Sequence, residues 1–196
     1  MNYNHLVIVI GPSGSGKDTL ISKAKDALAD NLAFYFTSRE ITRPVNAGGE
    51  RHIAVSEDVF LHRREAGDYA ISWHAHDTWY GIDRSIEDRL AEGKVVVFNG
   101  SRAAIDDAKK IFPGVTVVFI NAPEAILAER LASRGRESDQ QVQERLARNK
   151  KLRGIPDGSI VLTNAEPLQQ TLDEFVAILQ RILLAEDDDP ANQMYG

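Results

Sequence analysis

Short apolar runs and longer amphipathic stretches alternate along this chain. The strongest runs are continuously apolar, which is typical of strands in a parallel sheet that is covered on both faces. Strands are predicted at residues 6–10, 33–37, 95–98, 115–120 and 159–162. Helices are predicted at residues 17–29, 85–91, 103–111, 123–133, 138–151 and 168–184. This order predicts a three-layer α/β fold with a parallel sheet.

The alternation is interrupted between about residues 39 and 82. Only short strand candidates, at 53–55 and 69–73, occur there. Ser56 is placed to cap a short helix that ends near Arg64. The stretch is rich in His, Trp, Tyr and Gly, so we interpret it as a small inserted subdomain that binds a second substrate.

The length of 196 residues favours a single domain with a substantial core. We expect this domain to span residues 1–185, with its core at 1–38 and 83–185. Residues 186–196 are acidic and polar, and we interpret them as a solvated tail.

A glycine-rich segment joins the first predicted strand to the first predicted helix. Its three glycines can adopt backbone angles that other residues avoid, which lets successive N–H groups surround an anion. The helix adds the positive end of its dipole, and Lys17 adds a full charge. The spacing and the flanking elements therefore predict a P-loop that binds the phosphates of ATP. The residues expected to contact ATP here are Gly11, Pro12, Ser13, Gly14, Ser15, Gly16, Lys17, Asp18 and Thr19.

Asp18 departs from the usual P-loop, in which a Ser or Thr at this position binds magnesium through its hydroxyl. A carboxylate can also bind Mg²⁺, directly or through water, but it is unfavourable beside phosphates without a cation between them. We therefore expect Asp18 to face a Mg²⁺ ion. The alternative is that Asp18 only stabilises the start of the helix by its charge.

Arginines recur at helical spacing on either side of a glycine turn. Arg130 and Arg134 would share one helix face, and Arg145 and Arg148 another. We expect residues about 130–150 to form a helical lid, with the first pair on ATP and the second pair on the acceptor. The alternative is that these arginines are solvated and paired with nearby glutamates. The expected catalytic residues are Lys17, Arg134 and Arg145.

Polar residues of the insertion, and of the strand end that follows it, are candidates for binding a phosphorylated second substrate. Arg39 and Arg43 carry guanidinium groups, which hold phosphate oxygens in a bidentate manner. Asn99 and Ser101 follow the strand at 95–98 and so fall at the sheet edge where ligands bind. The alternative for Ser101 is that it only caps the next helix. Further candidates are His52, His74 and Tyr80.

Charge and composition restrict the partners of this chain. The net charge of −6 disfavours general binding to nucleic acid. The absence of cysteine excludes disulfides, thiolate metal sites and a thiol nucleophile. No apolar stretch is long enough to cross a bilayer, and the first residues lack the basic start of a signal peptide. We therefore expect a cytoplasmic protein that acts on small molecules, without a membrane partner; these patterns do not determine its oligomeric state.

Together the motifs resemble those of the guanylate kinases. The matching features are the loop at 11–17, Thr42-Arg43-Pro44, Gly49-Glu50, Tyr80-Gly81 and the arginine pattern of the lid. Guanylate kinases carry an acidic residue near the position of Ser72, an aspartate at the position of Asn99, and a phosphate-binding tyrosine where this chain has His52. Because guanine requires carboxylate acceptors for its N–H groups, these departures argue against guanine as the ligand.

A closer resemblance is to the ribose 1,5-bisphosphate phosphokinases of phosphonate catabolism. It is carried by Asp18, Ile41-Thr42-Arg43, Glu50-Arg51-His52-Ile53-Ala54, Ser72-Trp73-His74-Ala75, Tyr80-Gly81, Asn99-Gly100-Ser101-Arg102-Ala103 and Arg134-Gly135-Arg136-Glu137. The resemblance implies phosphorylation of ribose 1,5-bisphosphate to 5-phosphoribosyl 1-diphosphate, with ATP and Mg²⁺ as cofactors and release of ADP. It adds Ser72 to the expected substrate-binding residues, and it leads us to expect the 5-phosphate as the acceptor.

Two other functions are compatible with these motifs. One is a nucleoside monophosphate kinase, with GMP as its substrate. The other is a non-catalytic guanylate kinase-like module that holds peptides. The intact P-loop and Lys17 argue against the second, because peptide binding alone would not require them.

Overall fold

The structure, a computed structural model, describes residues 3–44, 52–132, 154–165 and 167–185, with only the backbone of 131 and 132. The strands are β1 (Leu6–Ile10), β2 (Phe34–Phe36), β3 (Glu40–Ile41), β4 (Ile53–Ala54), β5 (Tyr69–Ala75), β6 (Thr78–Asp83), β7 (Val95–Asn99), β8 (Thr116–Asn121) and β9 (Ile160–Thr163). The helices are α1 (Lys17–Ala27), α2 (Glu57–Glu65), α3 (Ile86–Ala91), α4 (Arg102–Ile111), α5 (Glu124–Ala132) and α6 (Leu168–Leu184), and a short 3₁₀ helix spans Tyr3–His5.

The main sheet is parallel, with its strands in the order β2-β7-β1-β8-β9. The central strand β1 is buried along its whole length. Because alternate side chains point to opposite faces, Leu6, Ile8 and Ile10 pack with α4, whereas Val7 and Val9 pack with α1 and α6. The three-layer α/β fold that the apolar runs predict is confirmed.

The interrupted part of the pattern folds as a second sheet, with the strand order β4-β3-β6-β5. Strands β5 and β6 form a hairpin whose turn residues, His76 and Asp77, both have a φ of 54°. Ser56 caps α2 as predicted, because its Oγ accepts a hydrogen bond of 3.3 Å from the N–H of the third helical residue. Helix α2 covers one face of this sheet through Phe60, whose ring stacks on that of Tyr69 at 4.6 Å. We call this face the α2 face.

A charge cluster ties β3, β5, β6 and α2 together. Arg63 donates hydrogen bonds to Glu40, to Asp68 Oδ2 at 3.1 Å and to Asp83 Oδ2 at 2.8 Å. The Tyr69 hydroxyl donates to Glu40 Oε2 at 2.6 Å, and Glu40 is only 6% exposed. Burial disfavours the charge of Arg63, but its hydrogen bonds to the three carboxylates outweigh this and raise its pKa. Burial and the bond to Glu40 raise the pKa of Tyr69.

Parts of the predicted organisation lie outside the described residues. These parts are the predicted helix at 138–151, most of the predicted lid and the acidic tail from residue 186. The division of the chain into core, insertion and lid therefore stays a prediction. Among the helices that the structure describes, none is both long and apolar enough to span a bilayer.

Candidate active site

The glycine-rich loop runs from the end of β1 to the start of α1. Gly14 and Gly16 have φ values of 89° and 81°, in the left-handed region that favours glycine. At Gly11, a Cβ atom would clash with the backbone carbonyl oxygen of Ile120 and would lie 2.9 Å from Ser15 Oγ. The path of the loop and its close packing on β8 therefore both require glycine. Such a path lets successive backbone N–H groups face a bound anion.

The loop leads directly into a helix N-terminus, because α1 begins at Lys17 with Gly16 as its N-cap residue. Lys17 is half-buried, Pro12 and Ser15 are buried, and Thr19 is exposed on the first turn of the helix. The residues predicted to bind ATP therefore follow one another around a single strand-to-helix turn. An anion at this turn would meet the positive end of the helix dipole.

Asn164, which directly follows β9, braces this loop. Its Nδ2 donates a hydrogen bond of 2.7 Å to the backbone oxygen of Ser15, and its own N–H donates to the oxygen of Asn121 at 2.8 Å. Arg130 donates to the backbone oxygen of Asn164 at 3.4 Å, and Asn164 is 1% exposed. The sequence reasoning missed Asn164. Its position at the carboxyl end of an apolar strand was the available signal.

Replacing Asn164 with alanine is expected to raise the KM for ATP on the order of tenfold, because the buried Ser15 carbonyl loses its donor. Steady-state kinetics with varied ATP measures this effect. The matched control is Gln170→Ala, which removes an exposed amide from α6 and should leave KM unchanged. An unchanged KM in Asn164→Ala would show that the brace has no role in nucleotide binding.

The side chains of Asp18 and Asn99 contact each other beside the glycine-rich loop. Strand β7 pairs in parallel with β1, with Asn99 opposite Val9. Asn99, the last residue of β7, therefore lies beside the loop that follows β1. Its Nδ2 donates a hydrogen bond to Asp18 Oδ1. Asn99, predicted to bind substrate, therefore lies against the carboxylate that is predicted to face the metal.

Ser101 occupies the N-cap position of α4, but its side chain makes no capping hydrogen bond. Its Oγ atom is buried and has no hydrogen-bond partner in the part of the chain that the structure describes. The capping alternative for Ser101 is therefore not supported. The next residue, Arg102, lies over the Phe119 ring at 5.2 Å and donates to the backbone oxygen of Gly154 at 3.3 Å. Burial lowers the pKa of Arg102.

Arg39 and Tyr80 come together on the face of the second sheet that is opposite the α2 face. Tyr80 stacks on Trp73, with ring centroids 5.3 Å apart and an angle of 5° between the ring planes. The Arg39 guanidinium lies 5.1 Å from the Tyr80 ring and 5.9 Å from the Trp73 ring. We call this the Arg39 face. It joins the core cluster of the main sheet through Trp73, which is 4% exposed.

Ser72 and His74 lie on the α2 face instead. Side chains alternate along a strand, so both point away from the side that Trp73 occupies. Ser72 pairs with Gly81 in the hairpin, and the exposed His74 packs 4.7 Å from the Trp79 ring. The structure therefore does not bring these two predicted substrate residues together with Arg39 and Tyr80.

His52 and Arg43 contact each other near the start of the second sheet. His52 Nε2 donates a hydrogen bond of 3.0 Å to the backbone oxygen of Arg43. The Arg43 Nε atom is buried and has no partner among the described residues. Thr42 anchors this segment to β6, since its N–H donates to the Trp79 oxygen at 3.1 Å and its Oγ1 accepts from the Trp79 N–H at 2.9 Å.

Of the arginines predicted for the lid, the structure places Arg130. A Cβ atom at Gly16 would lie 3.3 Å from Arg130 Nη1, so the guanidinium is beside the loop. Arg134, Arg145 and Arg148 lie outside the described residues. Their roles stay predictions.

Comparisons with known proteins agree with this architecture. The family description "Guanylate kinase" matches residues 3–186. The crystal structure of guanylate kinase from Anaplasma phagocytophilum has a TM-score of 0.66 to this structure, and 18% identity. The match covers 90% of this chain and 84% of that one. At that identity the likeness shows the fold alone.

Two relatives carry the name ribose 1,5-bisphosphate phosphokinase PhnN. The protein from Thiobacillus denitrificans is 41% identical over 180 residues, which are 91% of this chain and 94% of that protein. The protein from Laribacter hongkongensis is 45% identical over 174 residues, which are 89% of this chain but only 42% of that protein. The chain therefore belongs to the guanylate kinase family, and within it to the ribose 1,5-bisphosphate phosphokinases.

Proposed function

We propose that this kinase transfers the γ-phosphoryl group of ATP to ribose 1,5-bisphosphate and forms 5-phosphoribosyl 1-diphosphate and ADP. The names of its relatives support this reaction. The product carries its diphosphate on carbon 1, so the new P–O bond forms at an oxygen of the 1-phosphate. The bond between the γ-phosphorus and the β,γ-bridging oxygen breaks. The 5-phosphate keeps its single phosphorus, so the expectation that it is the acceptor is wrong.

The loop between β1 and α1 is the proposed ATP site. Its backbone N–H groups and Lys17 would hold the β- and γ-phosphates, and Arg130 is close enough to assist. Mg²⁺ fits the donor set, because it commonly takes one or two carboxylates together with phosphate oxygens and water, and Asp18 offers a carboxylate. When bound, Mg²⁺ neutralises charge on the transferred group.

One observation carries the choice of acceptor: the charges of the second sheet are divided between its two faces. The Arg39 face presents a guanidinium over two aromatic rings, and none of the described strand residues on this face is acidic. The three carboxylates bound to Arg63 gather instead around the α2 face. Guanine would require a carboxylate acceptor, whereas a sugar with two phosphates requires cations and other donors.

The reaction requires this chain to position the two substrates rather than to supply a general base. An oxygen of the acceptor phosphate is already a nucleophile, so no general base is required, and the gain comes from in-line placement of the two substrates. We assign this placement to Arg39 and Arg43, with Ser101 as a further polar contact. Ser72 and His74 have no part in the proposal, because they lie on the α2 face.

The test offers ribose 1,5-bisphosphate, GMP and AMP separately as acceptors with ATP and Mg²⁺. ADP release is followed in a coupled assay, and the product is identified by ³¹P NMR. We expect diphosphate resonances with ribose 1,5-bisphosphate. Turnover with GMP and AMP should be slower by on the order of a hundredfold or more, because the described strand residues of the Arg39 face include no carboxylate to accept from the N–H groups of a base.

Two other outcomes of this assay would contradict the proposed reaction. Comparable turnover with GMP would identify a guanylate kinase and would contradict the proposal. ATP binding without turnover of any acceptor would identify a non-catalytic module.

A further inference from the structure

We infer that the carboxylate that serves the metal in this P-loop has changed places, from the end of β7 to the loop, and that Asn99 positions it. In P-loop enzymes a loop Ser or Thr and a strand-end Asp commonly share the Mg²⁺ ion. This chain has Asp18 at the loop position and an amide, Asn99, at the end of the strand beside β1. The inference rests on the proposed ATP site. It explains the aspartate at position 18 and the asparagine at position 99 together, as an exchange of the carboxylate between the two positions.

The structure places the two side chains in contact although they are 81 residues apart in the chain. Asp18 lies in the first turn of α1, directly after Lys17. Asn99 is the last residue of β7 and is 7% exposed. Its Nδ2 donates to Asp18 Oδ1, and in the described part of the chain no hydrogen bond to Asp18 Oδ2 is found. The amide therefore engages one carboxylate oxygen, and the other can serve a cation or its water.

Charge explains why the two positions would change together. An aspartate at position 99 would put two carboxylates in contact, which is strongly unfavourable away from bulk water unless a cation lies between them. An asparagine keeps one negative charge in the pair and supplies the N–H donor that a carboxylate lacks. Asn99 is thus a positioning residue that acts through Asp18. Such partners of metal ligands typically change metal affinity by about 10- to 100-fold.

The experiment is a double-mutant cycle with Asp18→Ser, Asn99→Asp and the exchanged pair Asp18→Ser/Asn99→Asp. Two quantities are measured: the Tm without nucleotide or Mg²⁺, and the affinity for Mg²⁺ by calorimetry with a non-hydrolysable ATP analogue bound. The matched controls are Asp26→Ser on the exposed side of α1 and Asn31→Asp in an exposed turn, which repeat the same changes of charge away from the loop.

We expect Asp18→Ser to weaken Mg²⁺ binding on the order of tenfold or more. We expect Asn99→Asp to lower the Tm, and added Mg²⁺ to restore part of it. The exchanged pair should recover both the Tm and, to within about threefold, the Mg²⁺ affinity, because it again has one carboxylate beside one neutral donor. Changes that simply add in the exchanged pair would overturn the inference.

This outcome is independent of the acceptor. The cycle needs binding of Mg²⁺ and an ATP analogue but no phosphoryl transfer. Failure of the wild-type protein to phosphorylate ribose 1,5-bisphosphate would therefore reject the proposed reaction and leave the result of the cycle standing.

Discussion

Replacing Lys17 with alanine is expected to lower kcat about a thousandfold or more while the protein stays folded. Lys17 is the first residue of α1 and is half-buried beside the glycine loop. In this position its ammonium group would stabilise the charge that develops on the transferred phosphoryl group, and a cation placed in this way contributes on the order of 10³–10⁵ in rate. The change should fall mainly on kcat, because the contact is strongest in the transition state.

Two variants on the same helix serve as controls for this prediction. Lys23→Ala and Lys25→Ala each remove one exposed lysine from α1 and so change the net charge equally. Both should keep wild-type kcat, and all three variants should keep the wild-type Tm within a few degrees. Turnover near the wild-type rate in Lys17→Ala would contradict the assignment of the loop as the phosphoryl-transfer site.

Replacing Arg63 with methionine is expected to lower the free energy of unfolding by about 3 kcal/mol, because a buried carboxylate loses its cation. Glu40 is 6% exposed, and among the described residues it would keep only the hydrogen bond from the Tyr69 hydroxyl. Methionine fills much of the space of the arginine stem, so the loss reports charge rather than a cavity. For a chain of this length the Tm should fall by roughly 6–12 °C, measured by circular dichroism.

The matched control is Arg84→Met. Arg84 is exposed: its ion pair with Glu87 spans 3.8 Å and its Nε donates to the backbone oxygen of Gly67 at 2.6 Å. Exposed contacts of this kind contribute less than a buried charge pair. Equal losses of Tm in the two variants would show that the charge cluster is not what holds the second sheet.

The dependence of the free energy of unfolding on pH, between neutral and acid pH, gives a second test of Arg63→Met. Burial by itself would raise the pKa of Asp83, but hydrogen bonds from Ser85 and Arg63 outweigh it and lower that pKa. A carboxyl whose pKa is lower in the folded state contributes stability above its unfolded pKa and loses it as the pH falls through the folded value. Arg63→Met should therefore lose less stability between neutral and acid pH than the wild-type protein does.

The sequence alone predicted the main architecture, because its signals are local. Continuous apolar runs mark the strands of the parallel sheet, and the spacing of Gly11, Gly14, Gly16 and Lys17 marks the phosphate loop within a few residues of chain. The sequence also correctly predicted that Ser56 caps α2. The strands β3 and β6 were missed. Strand β3 has only two residues, and β6 has no continuous apolar run.

The functional site was only partly predictable, because its contacts join distant parts of the chain. Asn164 reaches the loop across 149 residues. Ser72 and Trp73 are neighbours in sequence, but strand alternation sends them to opposite faces of the second sheet. The local sequence pattern thus predicted an α/β core and a phosphate-binding loop. Strand pairing decided which charges share a face, because burial and register, rather than residue type, set where each side chain points.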